Sequence, residues 1–161
     1  MVRKLKFPLE IAFVEYLGFE LVKFEGGQAE IHCALKPELL NTWQVAHGGL
    51  VMTLLDVCMA HAARSTEAHG KQAAPGLVTL EMKTQFMRPG EDYLVAKAKL
   101  LHRTATLAFT EGSVFSRRAD GSLSDLCAHA TGTFKFLKAL ATASGAHGGR
   151  ELKKIVPNAS D

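Results

Sequence analysis

Apolar and polar positions change period several times along the chain. From Pro8 to Leu17 the pattern Ile11, Val14, Glu15, Tyr16, Leu17 predicts a short helix, with Pro8 suited to a first turn and Gly18 to its end. "FELVKFEGGQAEIHCALK" then reads as two strands folded around Gly26-Gly27, a hairpin signal. Pro37 to Trp43 connects this hairpin to the longest helix, predicted from Gly48 to about Thr66. "EAHGKQAAPG" is a loop. Four strand-like runs follow. "LVTLEMKTQFM" alternates, with Val78, Leu80, Met82 and Phe86 expected on one face, and "RPGED" is its turn. "YLVAKAKLLHR" and "ATLAFTEGSVFSRR" meet near Arg103-Thr104, "ADGS" turns the chain again, and "LSDLCAHATGTFKFL" closes the pattern. From about Ala139 the sequence becomes small, Gly-rich and polar, which reads as a mobile tail. One long apolar helix among strands joined by short turns implies an α+β domain, an antiparallel sheet wrapped on that helix.

The central helix carries Leu50, Val51, Met52, Leu54, Leu55, Val57, Cys58, Met59, Ala60 and Ala62 on nearly all sides. A helix apolar all round is expected to be buried, within the domain or at a subunit contact. Its single acid, Asp56, is therefore costly unless paired or hydrogen-bonded. A structural reading pairs it with Arg64 or Lys83, or lets it face a small solvent channel. A functional reading makes it a carboxylate in a poorly solvated pocket, tuned for base or nucleophile work.

His47-Gly48-Gly49 stands where this helix begins. The first N–H groups of a helix lack intrahelical partners and sit at the positive end of its dipole, so an oxyanion would be stabilised there. Glycine lets a substrate approach that backbone; equally, the pair simply permits a tight turn. The same tripeptide recurs at His147 in the tail, where no apolar helix follows, and is assigned no role. Gly48 and Asp56 lie about 12 Å apart along a helix rising roughly 1.5 Å per residue. One reacting carbonyl cannot touch both within a single chain, so joint action predicts a symmetric homodimer with sites at its interface.

Composition narrows the field. The chain has 161 residues, 47% hydrophobic, which suits one domain with a real core. Nineteen basic and sixteen acidic residues give +3, too mild and scattered for a nucleic-acid partner, though compatible with a phosphate-bearing substrate. Cys33, Cys58 and Cys127 show no paired spacing, as expected of reduced buried thiols in a cytoplasmic protein. No apolar run is long enough to span a membrane, and Glu10 and Glu15 interrupt what would be a signal peptide. Nucleophile-elbow, P-loop, dinucleotide and H-E-x-x-H motifs are missing, and Cys58 with His61 gives only two candidate zinc ligands, so no metal or cofactor is expected.

Asn41, His47-Gly48-Gly49 and Asp56, spaced as N-x5-HGG-x7-D, together with "VTLEMKTQFMRPG" running into an F-x-RP turn, resemble hotdog-fold acyl-CoA thioesterases of the phenylacetate-pathway type. The resemblance covers roughly Phe19 to Leu137. It implies an antiparallel "bun" around a "sausage" helix, a hotdog domain over 19–138 between an N-terminal helix (1–18) and a tail (139–161), an acyl-CoA substrate, and a homodimer that pairs into a homotetramer. Carried across, Asp56 matches the acid that activates water or attacks the thioester carbonyl, and Gly48 the residue whose N–H polarises it, with Gly49 beside it in substrate binding. Asn41 matches a residue that places water or carbonyl, steadied by His47. Thr79 either helps hold the water or is an ordinary strand threonine, and Arg88 either meets a CoA phosphate or braces its turn. An acyl-thioester hydratase or dehydratase and a non-catalytic acyl-CoA-binding module are the alternatives.

Overall fold

The computed structural model describes residues 3–66 and 76–137. The expected tail and most of the "EAHGKQAAPG" loop lie outside the described residues. A five-residue helix α1 (Ala12–Tyr16) leads into the hairpin β1 (Phe19–Glu25) and β2 (Gln28–Ala34). A single 3-10 turn (Pro37–Leu39) precedes α2 (Gly48–Arg64). Strands β3 (Gly76–Phe86), β4 (Tyr93–Arg103), β5 (Leu107–Ser116) and β6 (Ala128–Leu137) follow. All six strands form one antiparallel sheet in the order β1-β2-β4-β5-β6-β3, leaving β1 and β3 at the edges.

Why α2 can lie against this sheet is visible in the side chains beneath it. The helix-facing positions of the middle strands are Ala96 and Ala98 on β4, Ala108 and Gly112 on β5, and Ala128, Ala130 and Gly132 on β6. Leu54, Leu55, Met59 and Ala62 of α2 fill the shallow trough these small residues leave, and all four are fully buried. Each large apolar side chain so buried contributes about 1.5–3 kcal/mol. A Cβ at Gly112 would meet Met59 at 3.1 Å and Leu55 at 3.2 Å, and one at Gly132 would meet Phe134 at 3.0 Å and Met59 at 3.1 Å. Cys58 fastens the helix further, its thiol lying 3.4 Å from the Ala29 carbonyl and 3.5 Å from that of Ala96.

The Gly26-Gly27 hairpin forms as expected, with φ of 56° and 78° at its two glycines. Three details differ from the sequence reading. Helix α1 is shorter than Pro8–Leu17, because Ile11 at its N-cap offers no side-chain acceptor and Leu5 is drawn into a bridge with Leu21. The last strand begins only at Ala128, residues 123–127 forming a turn held by Ser124 and Cys127. The third detail concerns β3. Thr79 opposes Phe134 while Glu81 opposes Thr133, so Leu80 is an extra, unpaired residue. This bulge reverses the alternation. Leu77, Thr79, Met82, Thr84 and Phe86 share the helix-facing side, across from Phe136, Phe134, Gly132, Ala130 and Ala128, whereas Val78 pairs with Lys135 on the outer side. Val78 and Met82 thus do not share a face.

A valine at Gly132 forces Met59 and Phe134 apart. Gly132→Val is expected to lower the free energy of urea unfolding by about 1–3 kcal/mol through overpacking, against an unchanged value for Leu101→Ser at an exposed bulge of β4.

Candidate active site

Helix α2 is not covered all round. Its positions 49, 52, 53 and 56 form a stripe that the sheet does not reach; Met52 is 38% exposed and Asp56 half-buried. The sheet buries the side carrying Leu54, Leu55, Cys58 and Met59, and the opposite stripe, for which a subunit contact is the expected alternative, is open in the single chain. Beside this stripe runs edge strand β3, and the bulge at Leu80 turns Thr79 toward the helix. The Thr79 hydroxyl donates to Asp56 Oδ1 at 2.7 Å. Arg64 is two helical turns away from Asp56, and Lys83 stands opposite Thr131 on the outer side of β3, so neither neutralises the acid. Burial pushes the Asp56 pKa above the ordinary aspartate value of 3.8, and the Thr79 hydrogen bond opposes that rise in part. The carboxylate keeps its second oxygen, Oδ2, for another partner.

At the other end of the stripe, His47 is the N-cap of α2, in extended conformation with φ −61° and ψ 134°. Its Nδ1 accepts from the Gly49 N–H at 3.0 Å, which places the ring proton on Nε2. Capping therefore consumes the Gly49 amide. Among the described residues the Gly48 N–H makes no hydrogen bond, and it stays an orphan donor at the positive end of the helix. The Phe86 ring lies alongside: a Cβ at Gly48 would be 3.7 Å from it.

Asn41 plays a visible structural part. Its Oδ1 accepts from the backbone N–H groups of Trp43 (2.9 Å) and Val45 (3.4 Å), while its own N–H donates to the Val45 carbonyl at 2.8 Å. This winds residues 40–46 into a tight loop, with Gln44 at φ +60° and Leu40 bridged to Ala46. The Ala46 N–H reaches the Gly90 carbonyl and the His47 N–H the Leu39 carbonyl, which fixes where α2 starts. His47 is thus bonded to Gly49, and the steadying contact from His47 to Asn41 is not among the hydrogen bonds formed. Arg88 sits in the turn after β3, its guanidinium 3.7 Å from the Asp125 carboxylate in an exposed pair, and its N–H bonded to the Cys127 carbonyl. It borders a separate cavity of about 260 Å³ together with Arg117 and Arg118. Leu54 is core, whereas Phe86 and Trp43 are exposed, at 53% and 81%. Cys58 and His61 do not form a metal site: Cys58 is tied to backbone carbonyls, His61 Nδ1 to the Val57 carbonyl at 2.7 Å, and no group of three metal-binding side chains exists among the described residues. The bulge at Leu80 escaped sequence reading, since "VTLEMK" alternates cleanly and carries no glycine to mark it.

Sheet, central helix and the polar groups along its open stripe define a hotdog domain. The family model of the thioesterase superfamily matches residues 44–120, a span that includes Gly48, Asp56, Thr79 and Arg88. The chain is 33% identical over 97 residues to a putative esterase of Archaeoglobus fulgidus, covering 57% of this chain and 58% of that one. It is 30% identical over 94 residues to the acyl-coenzyme A thioesterase PaaI of Escherichia coli, covering 57% of this chain and 62% of that one. The match therefore spans about three fifths of these two curated relatives. A solved structure, the conserved protein PA5202 of Pseudomonas aeruginosa, superposes with a TM-score of 0.68 at 30% identity over 81% of this chain and 97% of that one. Over residues 44–120, just under half of its length, the chain matches the thioesterase superfamily, and its fold matches that of PA5202.

Because the Asp56 pKa is raised on folding, the fold disfavours its charge. That cost is absent below the unfolded pKa, where the carboxyl is protonated in both states, and complete above the folded one. Asp56→Asn, which keeps an acceptor for Thr79, is expected to raise the urea midpoint at about pH 7 and to leave it unchanged at about pH 3; equal midpoints at both would remove the desolvation argument.

Proposed function

We propose that this protein hydrolyses acyl-CoA thioesters, with Asp56 of one protomer and the Gly48 N–H of another acting on the same carbonyl. The observation that carries this reading is the pair left unfulfilled along one helix: a desolvated carboxylate with a free oxygen, and an orphan amide about 12 Å away, two turns further toward the N-terminus. Neither alone cleaves a thioester. The curated relative named as an acyl-coenzyme A thioesterase supplies the substrate class.

In this reading the thioester oxygen accepts from Gly48, and the Asp56 carboxylate works as general base or as nucleophile. As base it takes a proton from water while the water oxygen bonds to the acyl carbon. The C–S bond then breaks and that proton passes to the CoA sulfur, leaving free acid and CoA. As nucleophile it bonds to the acyl carbon while the C–S bond breaks and CoA leaves as its thiolate; water then opens the acyl-aspartyl anhydride to free acid and regenerated carboxylate, and the proton released passes to the CoA sulfur. Thr79 holds the carboxylate through Oδ1 in either case. A dimer is supported by edge strand β3, eleven residues with one hydrogen-bonding side unpaired and Val78, Leu80 and Phe86 exposed. Association there covers the open stripe of α2. No helix among the described residues is long and apolar enough to cross a membrane.

Purified protein is offered a panel of acyl-CoAs with a thiol reagent. Release of CoA is expected from wild type, with a loss of about a hundredfold or more in Asp56→Ala and Asp56→Asn. Activity is expected to fall on the acid side around a pKa above the ordinary aspartate range. Binding without release, or an enoyl product, overturns the reading. Gly48→Pro tests the amide: proline is accepted at the first helical position, the extended His47 suits a following proline, and only the N–H is lost. A loss of about 10²–10³ in kcat with little change in Tm is expected. Mixing refolded Asp56→Asn and Gly48→Pro chains is expected to restore about a quarter of wild-type activity, since half the dimers then carry one complete site. No recovery would place both groups in one protomer's site.

A further inference from the structure

Strand β3 touches the open stripe of α2 at both ends. At one end Thr79 binds Asp56; at the other the Phe86 ring stands beside Gly48. Both side chains point toward the helix although one is odd-numbered and the other even, a result of the bulge at Leu80. Phe86 is 53% exposed, a large apolar ring left open next to a helix start whose Gly48 N–H is unpaired among the described residues. Between the two ends the stripe presents the Met52 side chain and Thr53, whose hydroxyl is turned back onto the Gly49 carbonyl at 2.9 Å. The open stripe beside Gly48 thus carries an aromatic ring and a thioether.

We propose that Phe86 is the specificity-determining wall of the acyl site: it packs against the acyl carbons beyond the thioester carbonyl and limits their bulk. This rests on the thioesterase reading above. The ring edge lies 3.7 Å from where a Cβ on Gly48 would stand, so an acyl group whose carbonyl is held at this helix start has the exposed Phe86 ring as a neighbour. Leu54 is fully buried under the sheet and cannot serve as such a wall.

The test compares kcat/KM over straight-chain and branched acyl-CoAs for wild type, Phe86→Ala, Phe86→Trp and the distant exposed control Leu101→Ser. Phe86→Ala is expected to shift the ratio of branched or long to short acyl groups by about tenfold or more toward the bulky ones, and Phe86→Trp to shift it the other way, the range expected when one or a few methylenes gain or lose a pocket. The control is expected to keep the wild-type ratios. Uniform scaling of all substrates by both Phe86 variants overturns the proposal while leaving the hydrolase reading intact. Absence of hydrolysis by wild type on every thioester instead sinks the reading beneath it, and the proposal with it.

Discussion

A single carboxylate held out of bulk water organises this molecule. Asp56 belongs to a helix whose other side is packed into a trough of alanines and glycines, so the acid cannot turn away from where it points without unseating Leu55 and Met59. Its one bonded oxygen is fixed by Thr79, and Thr79 reaches it only because β3 carries one residue too many. Without Leu80 as an extra residue, either Thr79 or Phe86 would face the outer side of the sheet. The bulge is therefore what lets one strand serve both ends of the helix stripe. Leu80 itself is 55% exposed, so the bulge adds little to the core.

The start of α2 obeys a second constraint. A helix opens with several amides lacking partners, and here they are not treated alike. The His47 imidazole satisfies Gly49, two positions in, as a capping side chain should. The Gly48 amide, one position earlier, lies too close to the cap to be reached by it. Glycine there keeps the approach to this amide clear, and the Phe86 ring edge lies 3.7 Å from where a Cβ would stand. The loop wound by Asn41 sets the angle at which the chain enters the helix, through the bonds from Ala46 to Gly90 and from His47 to Leu39. Asn41 thereby influences where the orphan donor points without touching it.

Much of the fold was legible because its signals are local. Two glycines between alternating runs made the hairpin, and a seventeen-residue apolar segment made α2. The strained position of Asp56 was legible for the same reason: an acid amid Leu54, Leu55, Val57 and Cys58 has few solvated places to go. What the sequence concealed depended on register and partners. "VTLEMK" alternates perfectly, yet the bulge puts Val78 and Met82 on opposite sides. The apolar residues at Val78 and Leu80 report an exposed edge, not the interior of their own chain. The apolar look of α2 covers two surfaces, the buried side with Leu54, Leu55, Cys58 and Met59 and the open one with Met52. Asn41 bears a residue type suited to both catalysis and loop winding, and its bonds to Trp43 and Val45 show the second.

These features explain why a two-fold arrangement suits the proposed chemistry. Along α2 the amide-rich, positive end and the carboxylate follow one another in a fixed direction, and the open stripe connects them. In the proposed dimer, two such helices related by a two-fold axis perpendicular to them would run antiparallel, and the start of each would lie by the acid of its mate. The donor that stabilises negative charge on oxygen is then opposed to the group that brings negative charge in, with the acyl carbon between them and the ring of Phe86 beside it. Within one chain the same two groups are held about 12 Å apart by the rigidity of the helix. Stiffness, which would be an obstacle to catalysis by a lone protomer, becomes in a pair the means by which two incomplete sites are held at a constant spacing.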